Sequence, residues 1–433
     1  MKSNRRIFLK TAAAGTWAMT TIPYGYAAER KINMGVIGCG WYGMVDARAA
    51  VKARDMMKAG DVEIAALCDV DSEHLKNSAD EIEKLQGKRP TAFKNYQDLL
   101  ALKELDALIL APPPHWHALP FIAACERGLD IYCEKPLAYD LREGRAMAVA
   151  AQKCGRVIQI GFQRRQSGAI DAAKKFIQSG GAGKINQAEA QIHYNAGVKD
   201  EDLIVQDPPA SLDWDLWSGP APKLPYRPQI GHFKWRLEKT TGHGHLVDWG
   251  IHLIDAARLI LEETAPKRIT ASGGLYYYKD KITTPDTLTV CFEFERCPLV
   301  WRHRIWGAEE YDPNVSNGIF FYGDLATVFV SDDKWIVIPK GKNKERREEK
   351  IQTDAGLNHM MDFLHAVRNR KQPSCLISDA FHSTASVQLA MIAFETQSSV
   401  VWNEKTEQIE GNEKADALLK REYRAPWKHP FTG

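Results

Sequence analysis

The sequence has no Cys-x-x-Cys pair, no basic excess, no internal repeat and no low-complexity tract. Its eight cysteines, at 39, 68, 125, 133, 154, 291, 297 and 375, are scattered over 433 residues. That excludes a small disulfide scaffold. Several fall in predicted apolar strands, where a thiol behaves as a small hydrophobe. The pattern suits folding in a reducing compartment, although Cys291 and Cys297 flank a predicted hairpin and leave a bond there open. The formal net charge is only +2, and Lys2, Arg5, Arg6 and Lys10 crowd four positive charges into the first ten residues. Without them acids slightly outnumber bases. A surface that neutralises phosphates needs a basic face, so no nucleic-acid partner is expected. The apolar stretch Thr11 to Met19 is too short for a permanent membrane anchor. What remains is ordinary globular composition, 44% hydrophobic and 26% charged, with length for two domains or three small ones.

The first segment has a different character. Asn4-Arg5-Arg6-Ile7-Phe8-Leu9-Lys10 is basic, a weakly apolar stretch follows, and Gly25-Tyr26-Ala27-Ala28 offers a small-residue cleavage site. The paired arginines resemble a twin-arginine export signal. Residues 1–28 are therefore expected to direct export to the periplasm. That route carries folded proteins, so any cofactor would be bound before export.

Residues 29–160 alternate short apolar strands with helical patterns, which predicts a doubly wound parallel sheet. Gly38-Cys39-Gly40-Trp41-Tyr42-Gly43 lies between the first strand and the first helix, the setting in which G-x-G-x-x-G binds a dinucleotide. The first glycine permits the tight turn, the second admits a pyrophosphate, and the third lets helix and strand approach. Asp69 ends the second strand. It stands 26 residues past Gly43, and a long first helix explains a gap wider than the usual ~20. A carboxylate there accepts from a ribose diol and repels a 2′-phosphate, favouring NAD over NADP.

Further motifs follow. Ala111-Pro112-Pro113-Pro114-His115-Trp116-His117 follows the fourth strand, and Cys133-Glu134-Lys135-Pro136-Leu137 follows the fifth. Gly161-Phe162-Gln163-Arg164-Arg165, the stretch Leu212 to Pro222, and the stretch Gly242 to Asp255 complete the set. Together they resemble the Gfo/Idh/MocA oxidoreductases over nearly the whole mature chain. The resemblance implies that Lys135 touches substrate and cofactor, that Glu134 lies near the nicotinamide ribose, and that the Lys135–Pro136 bond is cis. A bound nicotinamide cation and partial burial both disfavour a second positive charge, which readies the amine to take a proton. The candidate cofactor contacts are Gly38, Gly40, Trp41, Tyr42, Gly43, Asp69, Pro112, Pro113, His117, Glu134, Lys135, Gln163 and Arg164.

Residues 161–433 are expected to form an α+β domain, an open antiparallel sheet backed by helices. Thr287 to Glu295 alternates with period two, and Leu299 to Trp306 reads as its hairpin partner. Leu246 to Glu262 is predicted helical, which places Asp248, His252 and Asp255 on one face. Asp248 is expected to orient His252 and raise its basicity, and the resemblance places both beside Lys135. Lys135, His252 and Asp248 are thus the candidate catalytic residues. Residues 207–236 are proline-rich and hold Trp214, Trp217 and Trp235. Such rings either stack on a sugar or pack the loop onto its own domain. The candidate substrate residues are Lys135, Arg165, Tyr194, Trp217, Trp235, Arg236, Asp248 and His252. His243 and His245, with Asp248 and His252, admit a zinc alternative, but no metal is expected.

The implied activity is hydride transfer between a sugar or glycoside hydroxyl carbon and a tightly held NAD, which an exported enzyme must recycle. An NAD-dependent glycosidase working by transient oxidation, and a non-catalytic sugar binder, are the alternatives. A homodimer or homotetramer through the second sheet is the expected assembly.

Overall fold

A computed structural model describes residues 31–57, 62–308 and 312–432. The expected export segment, 1–28, lies outside the described residues. The parallel sheet is present. It comprises β1 (Ile32–Ile37), β2 (Val62–Cys68), β3 (Thr91–Phe93), β4 (Ala107–Leu110), β5 (Asp130–Glu134) and β6 (Ile158–Gly161), in the order β3-β2-β1-β4-β5-β6. Its central strands are buried almost throughout, as a sheet covered on both faces requires. The order reverses between β1 and β4, so a crevice opens at the carboxyl ends of these two strands.

Ten strands make the second sheet. They are β7 (Ile185–His193), β8 (Arg268–Gly274), β9 (Thr287–Glu293), β10 (Pro298–Arg304), β11 (Asn317–Gly323), β12 (Ala326–Val330), β13 (Lys334–Pro339), β14 (Arg347–Lys350), β15 (Val400–Asn403) and β16 (Gln408–Glu410). The order is β14-β13-β12-β11-β7-β10-β9-β8-β15-β16. In β9, Leu288, Val290 and Phe292 face the core while Thr287, Thr289 and Cys291 face outward. The sheet is mixed rather than purely antiparallel, because β10 runs parallel to β7. The segment joining β10 to β11 reverses the chain and the two strands straddle β7, so only one of them can oppose it.

Helix Ile377–Thr396 is buried nearly all round, because it wedges between β8 and the helix Leu141–Cys154 of the first half. Helix Ala355–Asn369 returns to the first half and packs Leu357, Met360, Phe363 and Leu364 into a cluster with Val36, Ala47 and Val51. The first sheet is thus partly covered by the distant end of the chain. All eight cysteines are free thiols, Cys291 and Cys297 included. Among the described residues no helix is long and apolar enough to cross a membrane.

Candidate active site

The glycine loop has the geometry its three roles require. Gly38 adopts φ +87°, and a Cβ there would lie 2.5 Å from Pro112 N. A Cβ on Gly43 would come within 1.8 Å of Gly38 O, so the third glycine permits the helix to touch the turn. A Cβ added at Gly40 would meet nothing within 4 Å, which leaves the room a pyrophosphate needs at the N-terminus of helix Trp41–Met56. Asp69 braces this loop: Cys39 N donates to Oδ2 at 2.7 Å and Asp71 N donates to Oδ1 at 2.9 Å. Each oxygen retains a lone pair for a ribose hydroxyl.

A crevice of about 480 Å³ runs from this loop. Gly38, Gly40, Trp41, Tyr42, Asp69, Pro112 and Pro113 line it from the first half, and Trp217, Trp235 and Arg236 face it from the second. These residues fit a dinucleotide: a glycine cradle with open space, a carboxylate at one end and aromatic walls.

Lys135 follows β5, and the Lys135–Pro136 peptide is cis. Its Nζ donates to the backbone oxygen of Asp248 at 2.8 Å and to Oδ1 at 2.9 Å. Arg236 Nε pairs with the other carboxylate oxygen at 2.9 Å. Burial opposes the charge on Asp248, but Arg236 and Lys135 outweigh it and hold the carboxyl well below the ordinary range. Arg236 in turn sits among the rings of Trp235 (4.2 Å), Phe233 (5.0 Å) and Trp41 (6.0 Å). One ion-paired chain thereby links the lysine to the mouth of the glycine loop.

The helix bearing Asp248 departs from the sequence expectation. Leu246–Gly250 is a π-helical turn ahead of the α-helix Ile251–Leu261. Its wider winding breaks the i, i+4, i+7 alignment. Asp248 turns to Lys135, whereas Asp255 pairs with Arg165 at 2.6 and 2.8 Å. Nor does Asp248 raise the basicity of His252 on balance. Burial and the nearby charges of Lys135 and Arg164 push that imidazole well below its usual range, so it is neutral. Its Nδ1 is buried without a hydrogen-bond partner, an open valence for a substrate hydroxyl.

Other candidates take different places. Arg165 is not at the substrate position expected of it: its buried guanidinium is locked between Asp255 and Asp379, tying helix to helix. His117 joins the loops after β4 and β5, its ring nitrogens 2.9 Å from Pro112 O and 2.8 Å from Pro136 O. Gln163 donates to Glu134 Oε1 at 2.5 Å and to Tyr132 at 3.1 Å, so it orients the glutamate. Burial pushes Glu134 up to about 7. Arg164 pairs with Asp332 at 2.8 Å and keeps Nη1 buried and unpartnered. Tyr194 packs its ring 4.5 Å from His245, one turn before Asp248. Trp217 stacks on Trp214 at 4.5 Å, so the tryptophan loop packs first on itself while Trp217 and Trp235 still face the crevice. The two loop histidines diverge: His243 lies 3.1 Å from Tyr139 O, and His245 turns toward Tyr194 and His303.

Three contributors had escaped the sequence reading. Asp46 is a buried carboxyl that burial and the neighbouring Glu134 push well above its ordinary range. Phe233 walls the crevice, and Trp427 reaches it from the far end of the chain. Only an acid within an apolar helix face marked Asp46, and no local pattern marked Trp427.

Comparison with known proteins bears on the family and the fold. The model for an oxidoreductase family NAD-binding Rossmann fold matches residues 32–162, and that for an oxidoreductase family C-terminal alpha/beta domain matches 192–429. Levoglucosan dehydrogenase of Pseudarthrobacter phenanthrenivorans is 26% identical over 272 residues, 57% of each chain. Inositol 2-dehydrogenase of Corynebacterium glutamicum is 28% identical over 171 residues, 39% of this chain and 48% of that protein. The matched stretch thus spans about half the length of these relatives. The solved structure of levoglucosan dehydrogenase with NADH and L-sorbose shares the fold, with TM-score 0.69 and 18% identity over 86% of this chain and 98% of that one. With both halves matched in order, the chain belongs to the Gfo/Idh/MocA oxidoreductase family.

Proposed function

We propose that this protein is an exported, periplasmic oxidoreductase that oxidises or reduces a hydroxyl-bearing carbon of a sugar or glycoside and keeps its nicotinamide cofactor bound. NAD is the expected form, because Asp69 repels a 2′-phosphate. The observation that carries the reading is the Lys135 amine, held at 2.8 and 2.9 Å by Asp248 at the carboxyl end of β5. The dehydrogenase relatives favour a carbohydrate, and the levoglucosan dehydrogenase structure was solved with NADH and L-sorbose.

NAD bound in the crevice would supply the hydride acceptor or donor at its nicotinamide ring. The chain's own residues manage the proton. In the oxidative direction the Lys135 amine takes the hydroxyl proton when the carbon–hydrogen bond breaks. Asp248 stays ionised and stabilises the ammonium that forms. Neutral His252 offers Nδ1 to a neighbouring hydroxyl and fixes the sugar. Arg236, caged by aromatic rings, holds Asp248 in place. The second sheet serves a homodimer or homotetramer in this reading.

The test begins with protein purified without added cofactor. Its absorbance and mass identify any dinucleotide retained. Sugars and aryl glycosides are then offered to the parent and to Lys135→Ala. A keto-sugar product from the parent, lost in the variant while dinucleotide stays bound, supports the proposal. Phenol release without a keto product assigns a glycosidase instead. Full activity in Lys135→Ala removes the role given to the amine.

A further inference from the structure

A second set of metal-ligating side chains converges away from the lysine. Asp71 caps the helix Ser72–Gln86: Glu73 N and His74 N donate to its Oδ1 at 2.9 and 3.3 Å. Its Oδ2 lies 2.9 Å from His232 Nε2. His74, in the first turn of the same helix, has its ring 4.2 Å from that of His232. One donor atom from each of the three residues falls within 4.8 Å of the others. Donors bound at about 2.0–2.2 Å to one ion lie no more than about 4.4 Å apart, so a small side-chain adjustment completes the set.

The setting is built from two distant parts of the chain. Ser72 N donates to Ser211 O at 2.9 Å and Asp213 N donates to Val70 O at 3.0 Å, so the long loop is laid against the start of this helix. His232 holds φ +49°, a left-handed backbone that a non-glycine residue adopts at a cost, and there it presents its imidazole to Asp71. Another carboxylate–histidine cluster, at Asp140, Glu143 and His429, differs in that Arg421 fills it, donating to Asp140 at 3.1 Å and to Glu143 at 2.8 Å. Among the described residues no lysine or arginine pairs with Asp71, only His232.

We propose that Asp71, His74 and His232 form a site for one divalent transition ion of the zinc class, which fastens the 207–236 loop to the Rossmann domain. Two imidazoles and one carboxylate suit zinc and its first-row neighbours rather than calcium or magnesium. His74 and His232 both line the crevice beside Asp69, so the ion's open position faces the dinucleotide site. This proposal departs from the sequence expectation of no metal, at residues other than the glycine–histidine loop.

Tag-free, chelator-treated full-length protein titrated with Zn²⁺, and separately with Co²⁺, tests the site. One ion per chain is expected, with a ligand-field absorption band for Co²⁺. His74→Ala and His232→Gly should each weaken binding at least tenfold, and exposed His365→Ala should leave it unchanged. His232→Gly suits the left-handed backbone, and circular dichroism confirms that each variant is folded. Loss of affinity in either folded site variant supports the assignment. No stoichiometric binding by the parent, or parental affinity in both site variants, overturns it. None of these readouts depends on the proposed catalysis.

Discussion

Asp248→Asn is the most informative single change, because one carboxylate serves two nearly buried cations. Lys135 and Arg236 each pair with it at 2.9 Å, and their side chains are 11% and 18% exposed. Removing one partner of a buried pair costs about 3–5 kcal/mol, most of it the burden of the charge left behind. Here two cations are stranded, yet both have slight access to water, so we expect about 4 kcal/mol rather than twice that. At the ~2 °C per kcal/mol typical of larger domains, the melting temperature should fall by about 8 °C. Calorimetry of the apo protein measures this without reference to activity. Lys135→Met added to Asp248→Asn removes one stranded charge and should recover about 1–3 kcal/mol in a double-mutant cycle. A melt within about 2 °C of the parent, under about 1 kcal/mol, would refute the claim that Asp248 neutralises the lysine and arginine. Turnover should also drop, by about 10²-fold or more, since the ammonium formed in the reaction loses its stabilising charge.

Three further outcomes follow from the same geometry. Gly40→Ala enters open space and should keep stability within about 0.5 kcal/mol while weakening dinucleotide binding in calorimetric titration; Gly43→Ala, which meets Gly38 O, should lower stability. Acid should destabilise the fold. Burial pushes His115 and His359 down to about 3 and His117, His243 and His303 down to about 4. Their contribution is present above the unfolded histidine value of about 6.5 and is lost as pH falls toward the folded values, at up to ~1.4 kcal/mol per unit each. Glu134 and Glu143, both pushed up to about 7 by burial, oppose this, because their cost relaxes on acidification. His245 and His252 are pushed down in the same way, so the depressed histidines outnumber these glutamates and stability should fall from about pH 7.5 to about 5.5; a higher urea midpoint at the lower pH contradicts the scheme. Trp427 lines the crevice and meets Trp116 edge-on at 5.7 Å. Trp427→Ala should speed release of bound dinucleotide by about 2–10-fold in a fluorescence chase, and an unchanged rate would deny the tail any part in retention.

Local pattern carried far in the first half. Continuous apolar strands, capped helices and the glycine spacing each follow from neighbouring residues, and they met in the expected sheet. It carried less in the second. β7, the strand at the centre of the ten-stranded sheet, reads Ile185-Asn-Gln-Ala-Glu-Ala-Gln-Ile-His, too polar and alanine-rich to stand out, and its β character comes from being paired on both edges. β11 and β12 fold back on each other at Asp324 and Leu325, where no glycine–asparagine turn pattern marks a hairpin. The helical wheel that grouped Asp248, His252 and Asp255 assumed α geometry, and the π turn sent two of them to different partners.

The sequence alone determined the dinucleotide loop, the acid at the end of β2 and the lysine after β5, because each depends on a short stretch whose backbone conformation its own residues impose. Tertiary structure alone decided the partners of those groups. Arg236 at Asp248, Arg165 at Asp255, Trp427 in the crevice and His232 against Asp71 all join residues far apart in the chain. Whether a charge is paired, stranded or free depends on what packing brings within a few ångströms of it, and no spacing along the sequence encodes that distance.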